Sequence, residues 1–156
     1  MMTSPRKRNL KRFTFYNMDL ETELMLLPRL GLAVFLGVLI GIDRETDGHD
    51  AGIRTYAAVC LGAALLTIIN THIEVADQTR IVANIVSGIG FLGAGIIFKD
   101  NSKGSIVGLT TAATVWATAG VGISLGFGMY LLSITSTLLI ILLLVARKLP
   151  YLKNRK

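Results

Sequence analysis

Three short segments carry the residues whose types and spacing could do chemistry. The first is Gly37-Val38-Leu39-Ile40-Gly41-Ile42-Asp43-Arg44-Glu45, where acid and base arrive together at the end of an apolar run. Arg54 follows closely, after Ala51-Gly52-Ile53. Charges at such a boundary either pair as an interfacial clamp, Asp43 or Glu45 with Arg54 or Arg44, or face the lipid headgroups. Asp43, Glu45, Asp47 and Asp50 offer the oxygen ligands that Mg²⁺ takes. The arginines beside them oppose a cation, so no metal site is expected.

The second segment runs from Asn84 through Ser87-Gly88-Ile89-Gly90-Phe91-Leu92-Gly93-Ala94-Gly95. Gly88, Gly90 and Gly93 match G-x-G-x-x-G letter by letter. The dinucleotide fingerprint also requires a preceding strand and a soluble βαβ unit, and neither is expected here. In a membrane, such glycine density means close helix contact. Its rarer meaning is a bent or broken helix whose freed carbonyls meet an ion. The third segment is Gly108-Leu109-Thr110-Thr111-Ala112-Ala113-Thr114-Val115-Trp116. Thr110, Thr114, Thr118, Gly122 and Gly126 recur every four residues. This stripe of hydroxyls and small side chains can bond its own backbone, bridge to another helix, or line a wet path. Trp116 falls near mid-helix, away from the headgroups, and is expected to fill a packing gap or find a partner for its N–H.

The elements that position these residues follow from composition. Apolar residues make up 52% of the 156 and charged residues 17%, below the quarter usual in soluble domains. The charges cluster between apolar runs, in the banding of repeated bilayer crossings. The runs cover residues 24–42, 53–73, 81–98, 105–125 and 129–146. A run of 19 residues spans about 28 Å as a helix, close to the hydrocarbon thickness. The fold class expected is therefore all-α, a polytopic transmembrane bundle of five helices. Its parts are an N-terminal tail 1–23, a transmembrane domain 24–146 and a basic tail 147–156.

Pro28 is expected in the first turn of the first helix, and Arg29 is expected to snorkel to the interface. Ala33, Gly37 and Gly41 fall four apart and make a smooth ridge for a neighbouring helix. Leu138 to Val145 lacks glycine and suits a lipid-facing outer helix, which leaves helices three and four as the expected centre.

Five crossings separate the termini. Side B, with residues 43–54, 99–104 and the C-terminal tail, holds nine basic residues against seven on side A. The positive-inside rule then places the N-terminus outside and the C-terminus in the cytoplasm. Translation from Met18 would drop residues 1–17 and sharpen that asymmetry. The net charge of +6 lies in tails and short loops beside lipid headgroups. It forms no basic face with aromatic platforms, so nucleic acid is not expected. Cys60 has no partner in the chain, and His72 is expected as a solvated interface residue. No zinc-protease motif, Ser/His/Asp set or P-loop occurs. Neither an enzyme nor a cofactor is indicated.

In their order and spacing, the three segments resemble the MgtC/SapB family of bacterial inner-membrane proteins. The matching blocks are Gly37 to Arg44, Ala51-Gly52-Ile53-Arg54-Thr55, Ser87 to Gly95, and Gly108-Leu109-Thr110-Thr111-Ala112-Ala113-Thr114. The resemblance covers residues 24–146. The family pattern has Glu at the position of Asp43 and Gln at that of Asn84. The chain looks like the short SapB-like form, without the soluble C-terminal domain of MgtC proper. The resemblance implies a multi-pass inner-membrane protein linked to magnesium limitation and, in pathogens, to virulence.

Two functions remain open at this stage. One is a non-enzymatic regulator that meets another membrane protein, or itself, through the glycine faces of helices one and three. The other is an oligomeric channel or transporter for Mg²⁺ or another ion. There Asn84, a break at the glycines and the threonine stripe would form the path, with Asp43 and Arg54 at its mouth. Asp43, Arg44, Arg54, Asn84, Gly88, Gly90, Gly93, Gly95, Thr110, Thr111 and Trp116 are the candidate functional residues. A continuous, sealed third helix would favour regulation; a broken one beside a wet cavity would favour transport.

Overall fold

A computed structural model describes residues 19–72, 78–99 and 105–146. The alternative start at Met18, the tail 1–17 and the basic tail 147–156 lie outside the described residues. Five helices run in sequence: α1 (Leu20–Thr46), α2 (Ile53–Thr71), α3 (Gln78–Ile96), α4 (Leu109–Gly126) and α5 (Tyr130–Ala146). The first four are long and apolar enough to cross a membrane, and α5 adds a shorter apolar helix. The chain is a polytopic helical membrane protein, as its apolar runs require.

The boundaries carry corrections. α1 begins at Leu20, so Pro28 sits inside the helix rather than in its first turn. Its ring removes the N–H that would have bonded the Leu24 carbonyl. Between α3 and α4 the chain makes a small antiparallel pair, β1 (Phe98–Lys99) with β2 (Ile106–Val107), in the register Phe98↔Val107 and Lys99↔Ile106. Residues 105–107, expected as the start of helix four, belong to this hairpin and its approach. Gly108 then turns the chain at φ +90° and opens α4. A side chain there would meet the backbone carbonyl of Ile96, so the hairpin closes onto the end of α3 only with glycine at this position.

α2 lies between α1 and α4, and small residues set both distances. A Cβ on Gly37 would stand 2.7 Å from the Cα of Ala57, and one on Gly41 would stand 2.5 Å from the Cα of Ile53. On the other side, Gly122 abuts the Cys60 carbonyl and Gly126 abuts the Thr67 side chain. The ridge foreseen on α1 and the lower part of the α4 stripe are thus both consumed inside the bundle. Tyr56, Cys60, Ala64, Val115, Val121 and Leu125 fill the centre between them. Cys60 is a free, buried thiol.

α2 and α4 are the centre of the bundle, not α3 and α4. Of the apolar span of α4, 56% is buried, against 11% of that of α3. α3 packs on the rest through Ile81, Ile85, Ile89, Gly93 and Ile96, one stripe of the helix, leaving most of its surface to lipid. Sequence alone misplaces it because glycine is equally at home in a packed seam and on a bare face. α5 lies on the outside, as expected, with Leu131, Leu138, Leu142 and Leu143 exposed.

Candidate functional site

At the side B end, α1 closes with Gly48 at φ +72°, and the N–H groups of Asp47 and Gly48 bond back to Asp43 and Glu45 carbonyls. This stop leaves Arg44 on the last inward-facing turn. Arg44 is only 2% exposed, so it is neither a headgroup-facing charge nor a rim residue. Its Nη2 donates to Thr111 Oγ1 at 2.6 Å, tying the end of α1 to the first turn of α4. Its Nε is buried without a hydrogen-bond acceptor, as is Nδ1 of His49. Above them opens a cavity of about 670 Å³ lined by Arg44, Gly48, His49, Asp50, Ala51, Gly95, Ile96, Phe98, Ile106, Val107, Gly108, Leu109, Thr110 and Thr111. Four of the candidate residues (Arg44, Gly95, Thr110 and Thr111) therefore meet at one place.

Glu45 does not clamp Arg54. Its Oε2 accepts the Ile53 N–H at 2.8 Å, capping the N-terminus of α2, where a carboxylate is favoured by the helix dipole. Gly52 permits this, since a Cβ there would press on the Glu45 carboxylate at 2.5 Å. Arg54 is exposed. Among the described residues no cluster of three or more His, Cys, Asp or Glu side chains could hold a metal ion.

The threonine stripe packs rather than opening a path. Thr114 Oγ1 donates to the Thr110 and Thr111 carbonyls at 2.9 and 3.0 Å, so the Tyr56 hydroxyl, 2.6 Å away, is the donor between those two side chains. Thr118 bonds the Thr114 carbonyl. Trp116 corrects its expectation: it is 53% exposed and lies along the α3–α4 seam with Val86, Ile89 and Gly120. Mid-helix apolar surface facing lipid carries no penalty, so its indole needs no interior gap.

α3 is one continuous helix from Gln78 to Ile96, without the break that a transport path would have used. Of its glycines only Gly93 meets a neighbouring helix, with its Cβ position 3.7 Å from Ala112 Cβ. Gly88, Gly90 and Gly95 face open space, and Phe91 between them is 85% exposed. Asn84 lines a lateral groove of about 650 Å³ with Ala58, Val59, Gly62, Ala63, Leu66, Ile81, Ile85, Gly88 and Ile89. That groove lies between α2 and α3 and not along the bundle axis.

A second polar centre at the side A end was missed in the sequence. Arg29 does not snorkel away: its Nε donates to the Tyr130 hydroxyl at 3.0 Å and its Nη1 to the Gly126 carbonyl at 3.3 Å. A cation thereby meets the free carbonyls ending α4. The signal was available, since five crossings bring the start of α1 and the α4–α5 turn to the same side. His72, half-buried at the end of α2, folds back on its own last turn, its Nδ1 2.9 Å from the Ile68 carbonyl.

With this geometry in hand, the comparisons with known proteins are consistent with it. The family model described as "MgtC family" matches residues 30–150. Protein MgtC of Salmonella typhimurium (strain LT2) is 38% identical over 125 residues, 78% of this chain and 53% of that protein. The protein named "Putative magnesium transporter YhiD" in Escherichia coli (strain K12) is 40% identical over 126 residues, 74% of this chain and 57% of that one. Protein SapB of Bacillus subtilis (strain 168) is 34% identical over 126 residues, 75% of this chain and 54% of that one. The chain spans about half the length of the curated relatives it matches. No solved structure matches it. A family match across residues 30–150, on a bundle whose glycine ridge, capped helix ends and buried Arg44 fall within those bounds, establishes that the chain belongs to the MgtC family.

Proposed function

We propose that this protein is a non-enzymatic regulator of the bacterial inner membrane, active under magnesium limitation. It acts by docking a transmembrane helix of another membrane protein on the bare side of α3. The observation that carries this reading is the contrast between two glycine-rich helices. The Gly37–Gly41 ridge of α1 is already occupied by α2, so the expectation that helix one also offers a docking face is withdrawn. Gly90 of α3 meets nothing beside the 85% exposed Phe91, with Gly88 at the edge of that bare side next to the lateral groove, and small residues on a bare membrane helix admit a partner backbone closely. Asn84 in the adjoining groove supplies an amide able to hydrogen-bond across a helix pair, worth about 0.6 kcal/mol in such settings.

A photoactivatable residue at Phe91 tests this in the native membrane, with Leu143 on α5 as the control position. A discrete protein adduct from Phe91 and none from Leu143 supports the reading, and an adduct of twice the chain's mass identifies the partner as a second copy. Lipid adducts alone from both positions overturn it.

Ion transport is the second reading, favoured by the magnesium-transporter name of the Escherichia coli relative. Magnesium flux into proteoliposomes, abolished by Asp43→Asn or Asn84→Leu, would establish it. The apolar centre around Tyr56, Val115 and Leu125 and the unbroken α3 argue for no flux.

A further inference from the structure

Among the described residues that line it, the side B cavity sets a buried cation, Arg44, against a single carboxylate, Asp50. Arg44 is 2% exposed, and a buried cation is retained only when it is paired or fully hydrogen-bonded. Here the guanidinium has one protein partner among the described residues, the neutral Thr111 hydroxyl, and its Nε is unpartnered. That bond holds the guanidinium against the N-terminal turn of α4. There the N–H groups of Leu109, Thr110 and Thr111 precede the first intrahelical bond, which runs from Ala112 N–H to the Gly108 carbonyl. The turn has no acidic residue and no side-chain cap, so its partial positive charge adds to that of Arg44. His49, with its own unpartnered Nδ1, closes the cavity from the α1–α2 loop. The one carboxylate among the lining residues, Asp50, is on that exposed loop.

A helix N-terminus joined to a buried arginine is the arrangement that binds oxyanions. The remaining walls, Ile96, Phe98, Ile106, Val107 and Leu109, are apolar, and the volume of about 670 Å³ is that of a small-ligand site. We propose that this cavity binds a phosphate-bearing anion, held by Arg44 and the N-terminal amides of α4, with its remainder against the hairpin. The phosphate comes either from a free anion or from a lipid headgroup at the same interface. The site is independent of the docking face on α3, and either can fail without the other.

The test follows the apparent melting temperature of the full chain in maltoside micelles, which carry no phosphate. One arm titrates inorganic phosphate at constant ionic strength with chloride. The other dopes the micelles with phosphatidylglycerol, against diacylglycerol of the same chains. Stabilisation by phosphate identifies a free anion, and stabilisation by phosphatidylglycerol but not diacylglycerol identifies a headgroup. Arg44→Gln is expected to weaken the effective arm about 10- to 100-fold in apparent affinity, the worth of a hydrogen bond to a charged group.

Arg44→Gln also loses the bond to Thr111, so Ile106→Glu provides the second variant. Ile106 is 61% exposed on the hairpin, where a carboxylate repels an anion without disturbing the bundle. It is expected to keep the unliganded melting temperature and lose the shift. No stabilisation in either arm, or equal stabilisation of wild type and Ile106→Glu, overturns the proposal.

Discussion

Arg29 and Tyr130 join the first and last helices at 3.0 Å, guanidinium to phenol, with the charge 5.9 Å from the ring centroid. This contact lies at the opposite end of the bundle from Arg44 and ties α5 to the core. Tyr130→Phe removes one charge-assisted bond at a partly exposed position and is expected to destabilise by about 0.5–1 kcal/mol. Arg29→Met should be costlier, because the Gly126 carbonyl also loses its donor. A double-mutant cycle in mixed-micelle unfolding would give a coupling well above zero, and additive losses would show that the contact is not formed.

The α1–α2 seam predicts a sharp contrast among glycines. Gly41→Leu drives a side chain into the backbone at Ile53 and is expected to cost more than about 3 kcal/mol, seen as loss of folded protein in size-exclusion chromatography. Gly88→Leu adds a side chain where none meets it. It should leave the melting temperature unchanged and weaken only the Phe91 crosslink.

Thr111 is expected to act as the anchor for Arg44. Thr111→Val leaves the buried guanidinium without its hydroxyl partner, a loss of about 1–3 kcal/mol. Thr111→Ser keeps the oxygen and should restore most of the stability. Destabilisation by Thr111→Ser but not by Thr111→Val would instead assign the effect to lost methyl packing, since valine keeps the methyl and serine does not.

Gly108→Ala tests the hairpin. At φ +90° alanine is strained, and its Cβ meets the Ile96 carbonyl. Loss of phosphate-dependent stabilisation together with a lowered melting temperature is expected. An unchanged protein would show that the hairpin does not shape the cavity.

Much of this fold was legible because bilayer thickness sets helix length. The apolar runs gave five helices in the right places, and the four-residue spacing of Ala33, Gly37 and Gly41 marked a true seam. Which helix is central was not legible. In lipid, Leu92 on an outer face and Leu36 in the core have the same solvation preference, so hydropathy ranks them alike. Burial of Arg44 was also hidden, since a charge two residues beyond an apolar run reads as a headgroup contact unless the length of α1 is known. The helix runs on to Thr46, which carries Arg44 inward. The hairpin at Phe98 and Ile106 escaped because its strands are two residues each, too short for any alternation to register.

The slight attachment of α3 bears on how the molecule comes apart. α1, α2 and α4 interlock through backbone contacts that yield only together, whereas α3 is held by a few aliphatic side chains and the hairpin. Pulled between handles placed in the α2–α3 and α3–α4 connections, the chain should release α3 at low force as a separate rip, with the α1–α2–α4 unit still in place. A protein arranged this way can exchange what lies beside one helix while the rest keeps its shape.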